Sequence, residues 1–157
     1  MKEKTLTLLF LRRDNEVLLA MKKRGFGVNR WNGVGGKTEP GETIEQALIR
    51  ESQEEIGVTP TVFEKVADIH FEEHHEGNPV SMHVHAFIAS EWSGEPTESE
   101  EMAPKWFALD ELPLDSMWAD DPYWLPPVLA GKKISAAFRL DANDAIVSHD
   151  VKEVVGF

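Results

Sequence analysis

A chain of 157 residues is the size of one compact domain, and 41% hydrophobic with 28% charged residues is a globular balance that excludes intrinsic disorder. With 28 acidic against 16 basic residues the formal net charge is −12, so the surface repels nucleic acid polymers and anionic membranes. The absence of cysteine excludes disulfides, zinc-thiolate centres and thiol nucleophiles, and it suits a reducing, cytoplasmic setting.

In chain order, the first apolar run, Leu6 to Leu11, is too short for a secretory leader, and no stretch is long enough to span a bilayer. Thr5 to Leu11 and Val17 to Met21, divided by the polar residues 12–16, predict a hairpin. A loop holding Gly25, Gly27, Gly33, Gly35, Gly36 and Gly41 follows, a density of glycine that lets backbone approach a ligand. Thr43 to Ile56 predicts a helix: Thr43 and Gln46 have capping-box spacing, Ile44, Ala47 and Leu48 make an apolar stripe, and Gly57 is placed to end it. Val58 to His70 and Pro79 to Trp92 predict two longer strands joined by the polar segment Glu72 to Asn78. Thr97 to Met102 predicts an acidic loop, Trp106 and Phe107 a short strand, Asp121 to Leu129 a helix, and Ile134 to Leu140 a last strand. With no repeat and no linker, residues 1–157 are expected to form a single mixed α/β domain.

The chemistry sits on the predicted helix. Glu51, Glu54 and Glu55 stand at i, i+3 and i+4, which puts three carboxylates on one side within a turn. Taken alone, such a run is a solvated acidic face. It lies in the C-terminal half of the helix, however, where the macrodipole disfavours negative charge, so helix stability does not account for it. A bound hard cation does, because Mg2+ or Mn2+ takes clustered carboxylate oxygens.

Gly36, five residues, Glu42, seven residues, then Arg50-Glu51-Ser52-Gln53-Glu54-Glu55-Ile56-Gly57-Val58 resembles the Nudix signature, with Ser52 in place of an aliphatic residue. Ser52 falls on the buried side of the helix, so this departure bears on packing. The resemblance implies the Nudix α/β/α sandwich, a mixed sheet with a catalytic loop-helix-loop. It also implies a magnesium-dependent enzyme, manganese being an alternative, that hydrolyses a diphosphate linkage. By the same resemblance Glu51, Glu54, Glu55 and the Gly36 carbonyl are metal ligands, and Arg50 orients the glutamates. The base comes from the pair Glu54 and Glu55, with Glu101 as an alternative base or a further ligand.

Outside the box, residues 21–27, 30–37, 101–107 and 117–124 (MKKRGFG, RWNGVGGK, EMAPKWF, MWADDPYW) are similar to the oxidised purine nucleoside triphosphate hydrolases within that family. This implies hydrolysis of 8-oxo-dGTP-type and 2-hydroxy-dATP-type substrates to the monophosphate and pyrophosphate, with pool sanitation and prevention of DNA damage as the consequence. Other substrates of the same chemistry, such as dinucleoside polyphosphates or ADP-ribose, and a noncatalytic nucleotide-binding module are the alternatives.

A purine pocket also follows from residue types. Phe26, Phe71, Met82, Met102 and Trp118 offer apolar faces, while Asn32, Asp120 and Asp121 offer edge-reading polar groups. Adjacent carboxyls in an apolar pocket are expected to share a proton, because burial and mutual repulsion both raise pKa. Read singly, Asp120 and Asp121-Pro122 are a helix start, Trp118 is packing, and Asn32-Gly33 is a turn; only the joint pattern favours a site. Lys22 and Lys37 are candidate phosphate contacts. His70, His74, His75, His83 and His85 are taken as surface or core residues, not a metal site. The expected partner is a small-molecule nucleotide, with no nucleic acid polymer and no membrane, and the expected state is a monomer.

Overall fold

The computed structural model describes residues 2–75 and 77–157. Eight strands, β1 (Lys2–Arg13), β2 (Glu16–Lys22), β3 (Trp31–Asn32), β4 (Thr59–His75), β5 (Asn78–Ser93), β6 (Met102–Ala108), β7 (Lys133–Leu140) and β8 (Ile146–Val154), make one mixed sheet. Its order is β3-β2-β1-β5-β4-β7-β8, with β6 paired to β2. Helix α1 (Ile44–Ile56) covers one face and α2 (Asp121–Leu129) the other.

Alternation along β1 shows why two layers form. Leu9 and Leu11 pack with Leu48, Ile56 and Val58 on the α1 side, whereas Phe10 packs with Trp124, Leu125 and Val128 on the α2 side. Such a strand, buried on both faces, reads as the near-continuous apolar run seen in the sequence. The result is the expected α/β/α sandwich.

Helix α1 has the predicted ends. Thr43 and Gln46 form a reciprocal capping box, and Gly57 sits in the left-handed region at φ 70°, donating its N–H to the Gln53 carbonyl. Ser52 is fully buried, and its hydroxyl lies 2.9 Å from the Val58 carbonyl and 3.1 Å from that of Ile49. The unusual box residue thus ties the helix end to the start of β4.

Several expectations need correction. The first two strands pair only at Arg12↔Val17 and Arg13↔Glu16, because β1 spends its length parallel to β5, from Lys2↔Val80 to Leu11↔Ala89. Residues 72–75 continue β4 and Asn78 opens β5; Glu76 of the predicted connecting segment lies outside the described residues, as does the side chain of His75. Trp106 and Phe107 belong to a seven-residue strand that starts at Met102. Strand β8 is absent from the sequence reading. None of the described helices is long and apolar enough to cross a membrane.

Candidate active site

The glycine loop delivers the box to the sheet. Thr7 N–H donates to the Gly36 carbonyl at 2.9 Å, and Val34 exchanges backbone bonds with Leu9 at 2.6 and 3.0 Å. A Cβ on Gly35 would stand 1.9 Å from the Thr7 carbonyl oxygen, so only glycine fits. On Gly36 it would stand 2.7 Å from Glu51 Oε1, which means the Glu51 carboxylate rests in the space that this glycine leaves.

Behind the loop the three box glutamates differ. Glu55 is buried: Gly35 N–H donates to its Oε1 at 3.1 Å, while its Oε2 has no hydrogen-bond partner. Burial first, then the facing Glu51 carboxylate, push the Glu55 carboxyl up to about 9. Glu51 is largely buried, and Glu54 stands on the open side of the helix with 59% of its side chain exposed. Arg50 gathers the group, with Nε 2.6 Å from Glu42 Oε2 and Nη1 3.0 Å from Glu51 and 3.3 Å from Glu54. It also donates through Nη2 to the Lys37 carbonyl at 3.1 Å, which fastens the helix to the loop. The hydrogen bond from Arg50 holds the Glu42 carboxyl below its ordinary range.

This donor set fits a hard divalent cation. An orphaned buried carboxylate oxygen, a second carboxylate against it and a carbonyl with one lone pair still available at Gly36 are oxygen ligands in need of positive charge. Glu101 stands apart in a different pairing, 3.8 Å from Lys22 and 3.9 Å from Arg24. Among the described residues, no three of these carboxylates bring donor atoms within 4.8 Å of one another.

In front of the loop opens a cavity of about 670 Å³. Its lining includes Gly35, Gly36 and Lys37 of the loop, the polar residues Lys22, Asn32, Glu101, Asp120 and Asp121, and the apolar Phe26, Phe71, Met82, Met102 and Trp118. Every residue proposed from the sequence for base and phosphate binding therefore borders one cavity. Asp120 and Asp121 are 8% and 2% exposed. Asp120 does stand at the start of α2, as read, but its side chain makes no capping bond and instead accepts from Trp124 Nε1 at 2.8 Å. Asp121 accepts from the Trp118 N–H at 3.0 Å. Burial raises both carboxyls, and Asp120 beside it raises Asp121 further, so the pair holds its protons more tightly than free carboxyls do.

Other members of the site escaped the sequence reading. Arg30 lies over the Trp118 ring at 4.0 Å, and Phe26 approaches the same ring at 5.1 Å, so the tryptophan is positioned as one wall. Thr7 is also in the lining, with a buried hydroxyl that lacks a partner. Spacing gave no signal for either, because both arrive from the tertiary fold. The structure also gathers histidines that the sequence left apart: the ring of His83 stacks on that of His70 and lies tilted against that of His85, beside Asp68.

Comparison with known proteins places the chain. The oxidized purine nucleoside triphosphate hydrolases of Danio rerio and Mus musculus are each 47% identical to it over 151 residues, 96% of both chains. The 8-oxo-dGTP diphosphatase of Escherichia coli is 31% identical over 138 residues, 85% of this chain and 98% of its own. The crystal structure of a MutT protein from Bacillus halodurans superposes with a TM-score of 0.82 at 27% identity, covering 95% of this chain and 97% of the other. A model of the NUDIX domain matches residues 1–128, which contain the glycine loop, α1 and the acidic pair, and the chain belongs to the Nudix family.

Proposed function

We propose that this chain hydrolyses oxidised purine nucleoside triphosphates, of the 8-oxo-dGTP or 2-hydroxy-dATP type, to the monophosphate and pyrophosphate. The observation that carries this reading is one cavity lined both by the glycine loop of the box and by two buried, adjacent aspartates whose carboxyls are raised above their ordinary range. A base altered at its edges exchanges donors for acceptors, and a carboxyl pair with one proton offers both. The 47% identity to two hydrolases of that name, over nearly the whole length, supports the same substrate class.

In this reading the cation is held by Glu51, Glu54, Glu55 and the Gly36 carbonyl, with Glu101 available from the cavity rim. Magnesium, or manganese in its place, supplies the positive charge that brings a triphosphate to a chain of net charge −12 and polarises its phosphoryl oxygens. Arg50 holds Glu42, Glu51 and Glu54 in place and does not touch substrate. The pair Glu54 and Glu55 takes the proton of the attacking water as that water adds across the anhydride, and Lys22 and Lys37 face the phosphates. Phe26, Phe71, Met82, Met102 and Trp118 enclose the base, which Asn32, Asp120 and Asp121 read. Residues 1–157 act as one domain, supported by a sheet that runs unbroken from β3 to β8. A cytoplasmic monomer that protects DNA by cleansing the nucleotide pool is consistent with this chemistry.

Product analysis on a nucleotide panel at one magnesium concentration tests the proposal. Oxidised purine triphosphates are expected to give pyrophosphate fastest, and Glu54→Gln to lower kcat by at least about 100-fold while nucleotide binding persists. Faster turnover of ADP-ribose than of every purine triphosphate would overturn the substrate; an unchanged rate in Glu54→Gln would overturn the cation assignment.

A further inference from the structure

Strands β4 and β5 form the floor of the cavity with Ile69, Phe71, Met82 and Val84. Side chains alternate across a sheet, so the residues between these turn to the opposite face. In the β4–β5 register Asp68 pairs with His85 and His70 with His83, which makes a two-by-two grid behind the floor. Cross-strand neighbours on one face stand about 4.5–5.5 Å apart at Cβ, close enough for long polar side chains to converge above the sheet.

They do converge. His83 Nε2 lies 2.8 Å from Asp68 Oδ1, and His70 Nε2 lies 3.2 Å from the same oxygen. The His83 ring lies between those of His70 and His85 with centroids 4.1 Å apart on each side, stacked on the first and tilted 37° to the second. One donor atom from each of Asp68, His83 and His85 falls within 4.8 Å of the other two. A cation is already part of the arrangement: the Lys65 ammonium sits 2.6 Å from Asp68 Oδ2 and 2.8 Å from His85 Nδ1. An ammonium only donates, so His85 Nδ1 accepts and presents its lone pair to positive charge. Lys65 comes from the bulged part of β4, and the Phe157 ring, 4.9 Å from its Nζ, offers the ammonium a second berth.

We propose that Asp68, His83 and His85 form a second cation site, separate from the box glutamates, that takes a divalent transition ion of the zinc class in exchange for the Lys65 ammonium. Two imidazoles and one carboxylate, with a position left open, suit zinc or cobalt, whereas magnesium prefers the all-oxygen set of the box. His70 orients the Asp68 carboxylate from outside, as the partners of metal ligands commonly do.

The test uses the full chain, stripped with chelator and titrated with Co2+ in excess Mg2+. The expected result is one equivalent of Co2+ with a visible absorption band, displaced by Zn2+. In the unaltered protein, Zn2+ shifts the ring NMR signals of His83 and His85. Affinity falls at least about tenfold in Asp68→Asn and in His83→Gln, persists in Glu51→Gln, and rises in Lys65→Met. Absence of the band and of the ring shifts, or binding that is lost in Glu51→Gln but retained in His83→Gln, overturns the site. An unchanged affinity in Lys65→Met overturns the exchange with the ammonium.

Discussion

Asp121 illustrates how a residue can weaken the fold where it equips a site. Its folded-state pKa is raised well above the ordinary value, so the native protein keeps a proton that the unfolded chain releases near pH 4. Above that pH the native state binds more protons than the unfolded state, and stability falls as pH climbs toward the folded pKa. Asn has no proton to lose, and its side-chain oxygen can still accept from the Trp118 N–H. Asp121→Asn should therefore add about 1–3 kcal/mol near pH 8 and little near pH 4.5. Urea unfolding at the two pH values measures it, and an equal gain at both would remove the buried charge as the cause. Asp121 as a candidate lining residue was legible because two acids precede Pro122 beside Trp118; its hydrogen bond was not, since Asp121 and Trp118 meet only through the turn of chain between them.

At the scale of elements, the loop before α1 is fixed by backbone contact more than by side chains. Gly35 presses on β1 and also donates to Glu55, so one position sets both the loop path and a box carboxylate. Gly35→Ala must push the loop off Thr7, and a shift on the order of 1 Å at a catalytic group costs about 100-fold in rate. Gly156→Ala, where an added Cβ meets nothing, serves as the control and should leave kcat/KM unchanged. Retained activity in Gly35→Ala would mean that the loop is not held as described. Elements with strong local signals were readable in sequence: α1 from its cap and its glycine stop, α2 from Asp121-Pro122. What depends on strand partners was not. Leu6 to Leu11 announces a buried strand, but nothing local says that its partner is β5, some 80 residues on. The histidine grid has the same origin, because Asp68 and His70 meet His83 and His85 only once the β4–β5 register exists.

For the whole molecule, the question is where the folding unit ends. The family match stops at residue 128, yet β7 adds Ile134, Ala136, Phe138 and Leu140 to the core shared with Trp124 and Val128. Burying each of the larger three contributes about 1.5–3 kcal/mol, a sum comparable to the whole net stability of a domain at about 5–15 kcal/mol. Strand β8 differs: it lies at the sheet edge, and most of its side chains face solvent. That polarity is also why it was invisible in sequence, since residues 146–154 carry Ser148, His149, Asp150, Lys152 and Glu153 with no apolar alternation. A chain ending at residue 141 should fold with lowered stability and keep its nucleotide activity, because α2 and the cavity floor remain supported by β7. A chain ending at residue 131 should not fold cooperatively, as β4 loses its parallel neighbour along Ala67 to Glu72, directly behind the cavity. Urea transitions and pyrophosphate release on the two truncations decide the matter. A sharp transition in the shorter chain would show that β7 is dispensable and that the base pocket is held by α2 alone.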